Sequence, residues 1–139
     1  MANNRLRLTM LSLAFVVSAA THADETPEER MARRFPQPVK VGDLIGLPVY
    51  DDNQSTLGHV LEVVRTPAGR IQLIVEYSRW FGWWGRPVAV PIEAVGIFGR
   101  QIAALDMSRQ DFAKAPTWSR GEAKPIAAGE TIRIGLTRH

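Results

Sequence analysis

The chain has 139 residues, with 17 basic and 14 acidic side chains and no cysteine. The missing cysteine excludes disulfide staples, thiol catalysis and a thiolate metal site. The charge balance excludes a strongly basic nucleic-acid binder, because Arg5 and Arg7 belong to an N-terminal segment expected to be removed, which leaves 15 basic residues against 14 acidic ones.

That segment, residues 1–23, reads as a secretory signal peptide. Arg5 and Arg7 form its positive start, Leu8 to Ala20 an apolar run, and Thr21-His22-Ala23 small residues suited to cleavage. The run is short for a bilayer span, which needs about 20 residues. No cysteine follows it to carry a lipid. The expectation is export to a bacterial periplasm, with no integral membrane span after cleavage and residues 24–139 as the mature protein.

"DETPEERMARRF" opens the mature part. Thr26 and Glu29 have capping-box spacing, Pro27 fits a first helical turn, and the arginines trail the acids as the helix dipole prefers. A short surface helix with a solvated charged face is predicted, then a stiff linker through Pro36 and Pro38. From Val39 the pattern is β. "VKVGDLIGLPVY" suggests a strand, a kink and a second strand, and "DDNQSTLG" a turn with Asn53 in the left-handed conformation. "HVLEVVRT" and "RIQLIVEY" pair around "PAG", with Ile71, Leu73, Val75 and Tyr77 on one face. "RPVAVPIEAVGIF" gives a strand with Val88 and Val90 alternating, and "GRQIAALD" a turn and a strand. "MSRQDFAKAP" is a helix capped by Ser108 and ended by Pro116. "WSRGEAKPIAAGE" is loop, and "TIRIGLTR" a last strand with Ile132, Ile134 and Leu136 inward. Short, evenly spaced strands argue for a small barrel or sandwich.

Residues Val41 to Trp118 resemble the PRC-barrel family, a small β-barrel module also found in the photosynthetic reaction centre H subunit and in a ribosome maturation factor. The resemblance is carried by Gly46-Leu47-Pro48-Val49-Tyr50, Leu57-Gly58-x-Val60, Gly69-Arg70, the strand "RPVAVPIEAV" and the helix-like "MSRQDFAKAPTW". Two features depart from the family pattern: the first turn lacks its usual glycine, and "WFGWWG" is more aromatic than the common Gly-rich version. The resemblance implies a mainly β fold, a small PRC-type barrel with short peripheral helices, serving as a docking or assembly module and not as an enzyme. The expected organisation is a signal peptide (1–23), a short helix and linker (24–38), a PRC-barrel domain (39–118), and a C-terminal extension with a final strand (119–139).

Reactive constellations are sparse. Ser55, His59 and Glu62 are near in sequence, but simple alternation places His59 and Glu62 on opposite faces of a strand. Asp51, Asn53, Ser55 and Glu62 mimic the spacing of a calcium loop, yet Thr56 stands where a sharp glycine turn is needed. No catalytic residue, metal or cofactor is expected. The distinctive stretch is "RWFGWWGR", where Arg79, Trp80, Phe81, Trp83, Trp84 and Arg86 form the candidate partner-binding set. Trp and Arg dominate binding hot spots. Adjacent Trp83 and Trp84 cannot both face inward on an extended segment, so these aromatics divide between plugging the barrel end and serving as a handle. An envelope protein partner is the expected occupant, with a glycan or small ligand as the alternative; a homo-oligomer stays open.

Overall fold

The computed structural model describes residues 24–78 and 85–137. Helix α1 (Pro27–Ala32) starts at the predicted capping box: the Thr26 hydroxyl accepts from the Glu29 N–H while the Glu29 carboxylate accepts from the Thr26 N–H. Strands β1 (Gln37–Lys40), β2 (Pro48–Tyr50), β3 (Thr56–Arg65), β4 (Ile71–Tyr77), β5 (Arg86–Pro91), β6 (Val95–Phe98), β7 (Gln101–Ala104), β8 (Lys124–Pro125) and β9 (Thr131–Leu136) form one mixed sheet. Its order is β1-β9-β6-β7-β2-β3-β4-β5, with β8 added to β3. A single helical turn, α2 (Val41–Leu44), makes the predicted kink. Helix α3 (Arg109–Lys114) starts at the Ser108 and Asp111 capping box and ends before Pro116.

The sheet curls around one core. Val49, Val60, Val63, Leu73, Val75, Val88, Val90, Ile102, Ile132 and Ile134 come from strands scattered along the chain and share one buried cluster. The final strand is the staple of this arrangement. It pairs antiparallel with β1 and parallel with β6, so it closes within the chain.

Four expectations need correction. The linker is shorter than predicted, because Gln37 and Pro38 already pair with β9. In the first turn it is Gln54, at φ 59°, and not Asn53, that is left-handed. Here Asp51 supplies what a glycine would otherwise permit, its Oδ1 accepting from the Asn53 and Ser55 N–H groups. Third, the charged run is not wholly solvated. Arg34 is 12% exposed, donating to the Glu93 carbonyl and pairing with Asp106 at 2.8 Å. Fourth, His59 and Glu62 share a face. The register slips between Val60 and Glu62, so His59 opposes Glu76 and Glu62 opposes Ile74, two residues apart on β4. A bulge inserts one residue, and every side chain beyond it changes sides.

The two end strands of the sheet order, β5 and β1, carry prolines. The Trp118 N–H donates to the Pro87 carbonyl, which turns Pro87, and by alternation Ala89 and Pro91, away from β4. On β1, Val41 N–H bonds to the Glu130 carbonyl, so Pro38 and Lys40 are the outward residues. Proline has no N–H to offer an incoming strand, and lysine resists one.

Candidate interaction surface at the end of the β4–β5 hairpin

Tyr77 and Arg86 are the last register pair of β4 and β5, and the aromatic segment joins them. Arg79, Trp80, Phe81, Trp83 and Trp84 lie outside the described residues. Their roots do not. The Ser78 N–H donates to the Leu57 carbonyl, and Tyr77 packs its ring 5.7 Å from that of Phe112.

Phe112 is the single buried residue of α3, 0% exposed in a helix otherwise made of polar residues and one alanine. It closes this end of the core beside Tyr77. Both ends of α3 are tied down. At its start, Arg109 Nε pairs with Asp51 Oδ2 at 3.0 Å and its Nη2 donates to the Thr56 carbonyl. At its finish, Arg86 donates to the carbonyls of Phe112 (2.6 Å), Ala115 (2.7 Å) and Ala113 (3.0 Å). A helix leaves its last carbonyls without internal partners, and a cation there also meets the negative end of the dipole. The same guanidinium lies 5.5 Å from the Tyr77 ring centroid. Arg86, read from the sequence as a contact residue, is therefore engaged with the helix that closes the barrel.

Asp51 shows the electrostatics of this end. Burial would raise its pKa, but the Ser55 N–H, Arg109 and the Asn53 N–H together hold it below the usual 3.8. Both of its carboxylate oxygens face protein donors, which leaves the calcium-like spacing of this loop committed to a turn.

A strap then crosses the outer face. From Trp118, beside β5, it passes to β3, where Arg120 grips both carboxylate oxygens of Glu62 at 2.8 and 3.0 Å and stacks over Trp118 at 5.4 Å. It ends as β8, and the Ile126 N–H bonds to the Val63 carbonyl. This crossing explains why Ile74 and Val64 are buried although they point away from the core. The sequence signals were faint: one phenylalanine in a polar helix, and one tryptophan in a stretch read as loop.

His59 is exposed, and among the described residues no three His, Asp or Glu side chains are grouped to hold a metal ion. Open clefts exist, including one of about 830 Å³ between Arg65–Pro67 and the strap. The chain matches the PRC-barrel domain over residues 39–108, half of its length. This chain belongs to the PRC-barrel domain family. No match was found among curated proteins. The matched span of the PRC-barrel begins inside β1 and stops at Ser108, the cap of α3. Helix α1, the plug helix, the strap and β9 all lie beyond it, yet three of these four supply buried residues to the core.

Proposed function

We propose that this PRC-barrel protein is an exported, non-enzymatic docking module that binds an envelope protein through the aromatic segment Arg79–Trp84. One observation carries the reading: the barrel end from which that segment leaves is filled by Phe112 and Tyr77, with Arg86 locking the helix over it. A core already plugged at that end supports reading the loop's aromatics as the handle. Arg86 acts here as the anchor of the loop's root. Strand addition is a poor docking mode for this protein, given prolines on both end strands of the sheet. Export is supported by the composition of residues 1–23.

The test compares the native protein with a Trp80→Ala, Trp83→Ala, Trp84→Ala variant. Both are purified from the cell envelope after confirmation that their circular dichroism spectra agree. Loss of one defined protein partner from the variant, reproduced with the purified partner, is the expected result. Equal retention by both forms would overturn the reading. Quenching of native tryptophan fluorescence by an oligosaccharide, with no protein partner, would replace it with the ligand-binding alternative. Cell fractionation with N-terminal sequencing tests export, expected to yield a mature start near Asp24.

A further inference from the structure

The connection between α1 and β1 is under strain. Phe35 is a bulky residue at φ 51°, in the left-handed region, and it is 60% exposed. Large side chains avoid this region, and Pro36 adds a second conflict, because a residue before proline is driven to extended backbone. If Phe35 extends, the chain straightens between Arg34 and Gln37, and α1 is carried away from its own barrel.

What α1 would leave behind is a specific seat. The helix buries none of its residues completely, and it lies over a gap of about 380 Å³ lined by Met31, Ile71, Ile92 and the Arg70–Glu93 pair. The helix itself contributes Met31, packed against the core, and a long Glu28–Arg70 pair at 4.0 Å; the closest polar ties come from Arg34, just past its end. That side chain donates to the Glu93 carbonyl and pairs with Asp106, while its carbonyl accepts from the Leu136 N–H. Gly135 leaves the room: a Cβ there would stand 2.7 Å from that of Arg34. An element held by a few polar contacts, with little buried area, detaches at low cost.

We infer that the protein forms a dimer by exchanging α1, the Arg34 of each copy seating against Glu93 and Asp106 of a second copy. Every contact of α1 is remade, and Phe35 in both copies relaxes to the extended form that Pro36 favours. Exchange through a short, strained hinge is a low-cost route to a symmetric pair. This surface lies at the Ile71–Ile92 end of the barrel, away from Tyr77 and Arg86, so the inference stands apart from the docking proposal.

The experiment is sedimentation equilibrium on the exported protein over a wide concentration range, with three variants. A reversible dimer is expected for the native chain. Phe35→Gly, which is at ease at positive φ, should raise its dissociation constant by about tenfold or more. Arg34→Asp and Asp106→Arg each place like charges at the clamp. Mixed, the two variants should form a heterodimer, because exchange sets an acid against a base at both clamps. A native monomer at all concentrations overturns the inference, as does a dimer that survives Phe35→Gly unchanged. If the charge variants fold poorly, the Phe35→Gly comparison decides alone; if they fold and mixing yields no heterodimer, exchange is excluded.

Discussion

Arg86, the first residue of β5, donates to the carbonyl of Phe112 at 2.6 Å, tying a strand to the helix whose one buried side chain plugs the barrel. Two further carbonyls, of Ala113 and Ala115, share the same guanidinium. Replacing Arg86 with Ala should cost about 2–3 kcal/mol, since hydrogen bonds to a charged group contribute roughly 1.5–3 kcal/mol and this one is partly exposed. Lysine should recover little of it, lacking the planar fork that spans three acceptors. Urea unfolding with near-UV circular dichroism reads both, and an Arg86→Ala midpoint equal to native would refute the latch.

Gly58 faces the backbone of Glu76 so closely that the carbonyl oxygen of Glu76 occupies the place of a Cβ. Its φ is ordinary, so close approach alone demands glycine. The Gly58→Ala protein should lose about 3 kcal/mol or more, because the obstruction is backbone and cannot rotate aside. A thermal melt is sufficient, and an unchanged midpoint would contradict the close approach.

Asp51 predicts an acid limb of stability. Its folded pKa lies below the unfolded value, so its contribution is complete above about pH 4 and is lost as pH falls through the folded pKa. Asp111, whose pKa is lowered by hydrogen bonds from the Ser108 N–H and hydroxyl, acts in the same direction. Stability measured by urea titration should fall below about pH 4, and Asp51→Asn should flatten part of that fall while weakening the protein at about pH 7. An identical acid slope in the variant would remove Asp51 from the account.

The segment 39–118, which the sequence suggested as the domain, should not fold alone. It lacks Ile126, Ile132 and Ile134, all members of the core, and it leaves β1 and β6 without their shared neighbour β9. A fragment spanning residues 24–137 should give dispersed amide resonances, and the 39–118 fragment a collapsed spectrum. Native-like dispersion from the shorter piece would show that β9 is dispensable.

The edge prolines make a prediction about solubility. Pro87→Thr and Pro91→Thr together place two more outward N–H groups on β5, and light scattering on heating should begin at lower temperature than in the native protein. An unaltered onset would mean that other features guard that edge.

Local chemistry was legible in the chain itself. The capping boxes of Thr26 with Glu29 and Ser108 with Asp111, the alternation in β4, β5 and β9, and the turn at Gly69 depend on neighbours a few residues apart, whose spacing is the period of the element. Tertiary structure decided the rest. A bulge at Leu61 put His59 and Glu62 on one face, which no count of alternating residues reveals. Arg34 had the look of a solvated charge, and Arg86 of a contact residue, until carbonyls 59 and 26 residues away came within reach. The physical reason is range. Periodicity encodes contacts along a strand or helix, whereas the pairing of a guanidinium with a distant helix end exists only once the sheet has curled.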